Sequence, residues 1–238
     1  MADYVRYRPG YPREVLDLLV RECGLTRDAV VADVGSGTGL LSQLLVEAGY
    51  RVIGVEPNAD MRLASPYAAV DGSAEATGLG DRSVDLIVTG QAFHWFDVAA
   101  TKVEWGRILK AGGSVALVWN DRVREGVFMS QLEALIDRFA MERDADGAIR
   151  ERGRGRVGEF FAPLVAAVAE FGNEQLLDFE GLRGRVFSCS YMPVRSNELT
   201  DELQVLYGRF AQGGLVKVVY KTSVYYAKSG QAEAPAPH

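Results

Sequence analysis

Apolar positions along the chain follow two alternating periods. Val30, Val31, Ala32 and Val34 form a short β-branched run, interrupted only by Asp33, of the kind that makes a strand buried on both faces. Leu40, Leu41, Leu44, Leu45 and Ala48 then recur at helical spacing. Gly35, Gly37 and Gly39 lie between them, so the segment reads strand, glycine turn, helix. The same alternation continues. Strands are expected at Tyr50–Glu56, Tyr67–Val70 and Val84–Thr89, with a short helix after Pro57 and Asn58. A helix over Val98–Leu109 starts behind Asp97 as its cap, and Lys110–Gly113 turns into a fifth strand, Ser114–Trp119. An amphipathic helix, Glu14–Cys23, precedes the first strand, with Val15, Leu18 and Leu19 on one face and Gly24 as its stop. Strands separated by helices predict an α/β chain with a doubly wound sheet.

Beyond residue 121 the pattern loosens. Phe128–Met141 has a helical apolar face of Leu132, Leu135, Ile136 and Phe139. Phe160–Phe171 reads as a further helix broken by Pro163, so residues 122–172 are expected to form a helical insertion capping the substrate. Glu174–Phe179 and Val216–Tyr226 read as the sixth and seventh strands. Helices are expected at Glu180–Cys189 and at Thr200–Gln212, the latter with Thr200 at its cap. The expected organisation is a core over 1–121 with an N-terminal arm, the insertion 122–172, and residues 173–227 completing the sheet. Residues 228–238, small, polar and proline-containing, read as a disordered tail.

Composition narrows the class. The 238 residues are 48% hydrophobic, enough for one large α/β domain. A net charge of −6 disfavours a broad nucleic-acid surface, though it leaves room for a local basic groove. Cys23 and Cys189 offer no metal-ligand spacing, and no metal is expected. No stretch approaches transmembrane length and the N-terminus lacks an apolar signal core. A soluble cytoplasmic protein is expected, monomeric or homodimeric, without a membrane or nucleic-acid partner.

The glycine turn carries the chemistry. A dinucleotide turn of the form G-x-G-x-x-G would need glycine at residue 40, which is Leu40. Asp33 would repel a pyrophosphate there but could pair with an ammonium. S-adenosylmethionine (SAM) has an ammonium and a carboxylate and no phosphate. The acid-x-G-x-G-x-G stretch from Asp33, with its strand and helix, resembles the first motif of the class I SAM-dependent methyltransferases. That resemblance implies a Rossmann-like, seven-stranded mixed sheet and SAM as cofactor, leaving as S-adenosylhomocysteine (SAH). It places Asp33, Gly35, Ser36, Gly37 and Gly39 at the cofactor. Glu56, with Pro57 beside it, would accept from ribose hydroxyls, and Met61 would lie against adenine. In the family an Asp often meets the adenine edge, and its position falls on Ser73 here, so Asp71, Ser73 or the amide of Ala74 could supply that contact. Gln91 would face the methionine half.

The second informative stretch is G-Q-A-F-H-W-F-D, residues 90–97, directly after the fourth strand. Open α/β sheets bind ligands at this carboxyl edge. His94 is a candidate general base, a substrate contact or a structural histidine. Phe93, Trp95 and Trp119 are candidate substrate contacts, as are Tyr191 in its S-Y-M-P break and Tyr7 and Tyr11 of the arm. The opening Y-x-x-x-R-P-x-Y-P, from Tyr4, is similar to that of a bacterial and fungal branch of small-molecule methyltransferases, and the arm reads either as a lid or as a packed terminal segment. With A-F-H-W-F and L-K-x-G-G…W-N, the resemblance covers about residues 4–121. Similar proteins methylate small carboxylic acids such as trans-aconitate, or natural products. No Asp/Asn-Pro-Pro-Tyr run or cysteine nucleophile follows the fourth strand, so a small acceptor methylated on a carboxylate or hydroxyl oxygen is expected. The Arg150–Arg156 run is a solvated loop or a site for an anionic substrate. The alternatives are an RNA or protein methyltransferase docking through that run, a non-catalytic SAM-binding scaffold, and an NAD-binding protein.

Overall fold

In the computed structural model, which describes residues 7–141, 151, 153–189, 191–194 and 196–229, the period-two runs assemble into a seven-stranded mixed sheet. The strands are β1 (Val30–Val34), β2 (Arg51–Val55), β3 (Ala69–Val70), β4 (Val84–Gly90), β5 (Leu109–Arg122), β6 (Ala167–Leu177) and β7 (Val216–Lys228), in the order β3-β2-β1-β4-β5-β7-β6. The pairs β2–β3, β1–β2, β1–β4 and β4–β5 are parallel. Strand order reverses between β1 and β4, which makes the carboxyl ends of these two strands a topological switch point. The helices are α1 (Arg13–Glu22), α2 (Leu40–Glu47), α3 (Ala59–Ala64), α4 (Val98–Ile108), α5 (Val127–Phe139), α6 (Val157–Phe161), α7 (Phe179–Phe187) and α8 (Asn197–Phe210), with a 3-10 turn at Phe93–Trp95.

The chain divides into two compact units. One comprises Gly10–Trp119, Arg150–Phe171 and Thr222–His238. Its strands alternate between two cores. Val31, Leu86, Val88, Ala116, Val118 and Val224 pack with α1 and α2, while Ala32, Val34, Ile87, Leu117 and Trp119 pack with α4 and α6. Val84 and Leu86 have even spacing yet fall in different cores. A register shift against β5 between them accounts for this. The other unit comprises Met1–Pro9, Asn120–Ile149 and Gly172–Lys221. Its core joins α5, α7 and α8 with Val216, Val218 and Tyr220.

Several local readings change. Lys110–Gly113 does not break the chain between helix and strand but belongs to β5. Gly112, at φ +76, takes up the irregularity there. The expected helix over 160–171 ends as α6 at Phe161, and β6 begins at Ala167. Its alternate half-buried residues run from Ala169 to Leu177 and include Asn173 and Gln175, so polar side chains blur the period-two signal. The cap of α8 is Ser196, whose hydroxyl accepts the Leu199 N–H at 3.1 Å, and not Thr200, which donates its own hydroxyl to the Ser196 carbonyl. Lys228 continues β7, and residues 230–238 lie outside the described residues, as do 1–6. Tyr7, in the arm, is helical.

A buried carboxylate ties α4 to the loop after β3. Glu104 accepts from Arg107 Nε at 2.8 Å and Nη2 at 2.7 Å, and from the Thr77 N–H at 2.9 Å and hydroxyl at 2.5 Å. The Arg107 hydrogen bonds, ahead of those from Thr77, hold its carboxyl down at about 2 against burial. Glu104→Ala strands these donors and should cost about 1–3 kcal/mol at pH 7. The stability that ionised Glu104 contributes is complete above about pH 4.5, its ordinary value, and is lost as pH falls toward about 2. Urea unfolding at pH 7 and pH 3 should therefore show the deficit of the variant shrinking in acid.

Candidate active site

The glycine turn is laid across the end of β2. The N–H groups of Gly35 and Ser36 donate to the Val55 carbonyl at 2.8 and 3.2 Å. Gly35, Gly37 and Gly39 all have positive φ, at +69, +57 and +84, which L side chains resist. Space separates their roles. A Cβ at Gly35 would lie 2.6 Å from Ala92 Cβ, and one at Gly39 would lie 2.7 Å from Ser65 Oγ. At Gly37 the nearest atom is Met61 Sδ at 3.9 Å. Gly35 and Gly39 are therefore closed in by the protein, and Gly37 opens onto free space beside Met61.

Glu56, buried just past β2, fastens this turn. Its Oε2 accepts the Gly37 N–H and its Oε1 the Asn58 N–H, each at 2.9 Å. Arg62, which the sequence did not single out, donates from Nη1 to the carbonyls of Glu56 (2.7 Å) and exposed Pro57 (2.9 Å) and pairs with Asp71 at 3.0 Å. It thereby joins the loops after β2 and β3. In the latter loop Ser73 Oγ accepts the Ala76 N–H at 3.2 Å, and Ala74 is buried.

Asp33 is 1% exposed. Ser42 donates its hydroxyl to Oδ2 at 2.7 Å, while Oδ1 has no hydrogen-bond partner. Burial pushes the carboxyl up to about 6 against the Ser42 bonds, and the Glu56 charge adds to the rise. Ser36 Oγ, Thr38 Oγ1 and Thr89 Oγ1 are also buried without partners. An unsatisfied buried polar group costs about 1–3 kcal/mol, and folded proteins keep few of them. Here four gather in the first turn and at the ends of β1 and β4, where the strand order reverses. The helix that follows, α2, has no side-chain cap, whereas Asn58, Asp97, Asp178 and Ser196 cap α3, α4, α7 and α8.

Past β4 the chain makes a strained turn. Gln91 sits at φ +60 and donates its N–H to the Val118 carbonyl at 2.9 Å. Before it, a Cβ at Gly90 would collide with the Tyr11 hydroxyl, so Tyr11 reaches the end of β4. Phe93 and Trp119 were expected as substrate contacts. They are 1% and 0% exposed and pack edge to face at 6.1 Å, with Phe160 5.3 Å from Phe93 and Tyr225 5.5 Å from Trp119. Edge-to-face packing on several sides uses up their surfaces, so they support the turn from beneath. Trp95 is 66% exposed, and the half-buried His94 ring lies 4.9 Å from it. Gly153 rests on the His94 backbone, where a Cβ would come within 2.6 Å of His94 Cβ, and the Arg154 guanidinium lies 5.8 Å from the Trp119 ring centre. Arg150 and Arg152 of the same run lie outside the described residues. Tyr7 and Tyr191 belong to the other unit. Tyr7 packs on Gly184, and Tyr191 accepts from Arg122 at 2.9 Å.

Residues 32–117 match the family model of a methyltransferase domain. The chain is 39% identical over 140 residues to an uncharacterized methyltransferase of Mycobacterium tuberculosis, covering 57% of this chain and 56% of that protein. It is 32% identical over 144 residues to an uncharacterized methyltransferase of Schizosaccharomyces pombe, covering 58% and 57%. The chain thus spans about half the length of the curated relatives it matches. The structure of a candidate type II methyltransferase from Anaeromyxobacter dehalogenans superposes with a TM-score of 0.69 over 93% of this chain and 98% of that one, at 21% identity. The fold is that of the class I SAM-dependent methyltransferases, and SAM is the cofactor of such a domain. Among the described residues no helix is long and apolar enough to cross a membrane, and no group of His, Cys, Asp and Glu is placed to hold a metal.

The polar groups around the glycine turn suit SAM. Asp33 Oδ1 is an unused acceptor for an ammonium, and the uncapped start of α2 offers N–H groups to a carboxylate. Glu56 retains lone pairs for ribose hydroxyls, and Met61 borders the open side of Gly37. An ammonium needs Asp33 ionised. With the carboxyl of the free protein at about 6, affinity for SAH should fall toward tenfold per pH unit below about pH 6 and level off above it. Asp33→Asn should bind SAH more weakly and without this slope, as read by calorimetry from pH 5 to 8.

Proposed function

We propose that the chain transfers the methyl group of SAM to an oxygen of a small, partly apolar acceptor, a carboxylate or a hydroxyl. The observation that carries this reading is the turn after β4. His94 and Trp95 stand on a packed aromatic base, Gly153 rests on the His94 backbone, and the Arg154 guanidinium lies over the Trp119 ring. Such a corner suits a compact acceptor better than a polymer strand. The net charge of −6 and the absence of an Asp/Asn-Pro-Pro-Tyr run support the same choice.

SAM, when bound, supplies a methyl on a sulfonium whose departing sulfur is neutral, so the task of the chain is mainly positioning. Asp33 and Glu56 orient the donor. The strained backbone at Gln91 aims its side chain from the end of β4. A hydroxyl acceptor must lose a proton as the new bond to carbon forms, and the His94 imidazole can take it. A carboxylate acceptor has no proton to give and needs no base.

Incubation with methyl-labelled SAM and separate pools of small carboxylic acids, phenols, amines and tRNA tests the reading. Label is expected in the acid or phenol pool, and transfer confined to tRNA would overturn it. With a hydroxyl acceptor, His94→Gln should lower kcat by about 10²–10⁴-fold while SAH affinity stays near that of the parent. With a carboxylate acceptor the same variant should change kcat little.

A further inference from the structure

The unit built around α5, α7 and α8 gathers its buried charge around one sulfur atom. Cys189, two residues past α7, is 4% exposed. Arg185, on α7 and 6% exposed, donates from Nη1 to Cys189 Sγ at 3.2 Å and to Ser188 Oγ at 3.4 Å, and from Nε to Tyr220 Oη at 2.9 Å. Arg122, at the end of β5, reaches the same sulfur from Nη1 at 3.7 Å. Arg8 of the arm stands nearby, donating to the Ser188 carbonyl at 2.8 Å. Among the described residues of this unit the one buried carboxylate is Glu133. It is engaged with Arg122 and lies 3.6 Å from exposed Arg124, which pairs with Asp137 at 2.9 Å. Arg185 therefore has no carboxylate, and burying an ion without a counter-charge is costly.

We propose that Cys189 is a thiolate at neutral pH, the counter-ion shared by Arg185 and Arg122, and that its protonation in mild acid weakens this unit. The directions of the hydrogen bonds carry the assignment. A guanidinium only donates, so the sulfur accepts from both arginines, and a neutral thiol is a weak acceptor. As a donor, the thiol has the Arg185 carbonyl at 3.9 Å, too long for a good bond. Tyr191, whose oxygen accepts from Arg122 at 2.9 Å, also hydrogen-bonds the sulfur. Burial by itself pushes the Cys189 thiol up, but Arg185, Arg122 and Arg8 outweigh it and bring it down to about 6. The phenols facing the cluster move the other way. Burial raises Tyr191 and Tyr220, and the neighbouring sulfur adds to the rise, so both keep their protons. Cys23, just as buried but beside Glu22, is pushed up to about 12. Burial is common to the two cysteines, and the guanidiniums separate them.

The ultraviolet absorbance of the thiolate, followed in the full chain from pH 4 to 8, tests the assignment. One thiol should ionise near pH 6, and Cys23 stays silent in this range. Cys189→Ser should abolish the step, and Arg185→Gln should move it up toward 9.0, the ordinary thiol value. Stability gives a second readout. The folded thiol lies below its ordinary value, so the stability that the thiolate contributes is complete above about pH 9 and is lost as pH falls through about 6. In urea unfolding, the deficit of Cys189→Ser should therefore grow toward tenfold in the equilibrium constant per pH unit between about pH 6 and 9, and level off below. Should neither variant fold, the step in the parent chain decides, because Cys189 is the one thiol placed to ionise there. No thiol ionising below pH 8, a step that survives Cys189→Ser, a step unmoved by Arg185→Gln, or a deficit equal at every pH would overturn the proposal.

Discussion

The domain depends on a carboxylate placed where a strand ends. Glu56 accepts the backbone N–H of Gly37 on one oxygen and that of Asn58 on the other. These bonds hold a turn of three positive-φ glycines against the end of β2 and start α3 in a set direction. Charge-assisted hydrogen bonds of this kind are roughly twice as strong as neutral ones. They let the turn stay irregular without being loose, and the opening at Gly37 needs that combination. Arg62 extends the restraint to the loop after β3.

Around this anchor the protein leaves polar atoms unsatisfied. Asp33 Oδ1, Ser36 Oγ, Thr38 Oγ1 and Thr89 Oγ1 are all buried and without partners. Buried Glu104 shows the opposite arrangement, its carboxylate receiving four donors. Free energy is withheld from folding where the two central strands diverge, and it becomes available to a ligand that brings an ammonium and other polar groups. The raised Asp33 carboxyl expresses the same fact electrostatically.

The aromatic run after β4 divides by burial. Phe93, Trp119 and Phe160 form a rigid base, while His94 and Trp95 remain at the surface of the turn. Rigidity beneath and exposure above are what positioning catalysis requires, because small displacements of reacting groups are costly in rate.

Local sequence determined much of this. The apolar run at β1, the glycine spacing, the acids Asp33 and Glu56 and the helix behind them are short-range patterns. Backbone sterics and hydrogen bonding read such patterns within a few residues, so the strand–turn–helix unit at β1 was legible in them, and its resemblance to the methyltransferase motif pointed to the cofactor. Where neighbours distant in sequence decided the outcome, the sequence was silent or misleading. The irregularity at Gly112 depends on β4 pairing alongside, and β6 appears through polar Asn173 and Gln175 because a sheet supplies its edge. Phe93 and Trp119 look like ligand contacts until Phe160 and Tyr225 cover them. Glu104 and Ser42 carry no motif at all. Their importance comes from burial and from which atoms meet there, and only the tertiary structure decides that, since the cost of an unpaired charge depends on the water that folding removes.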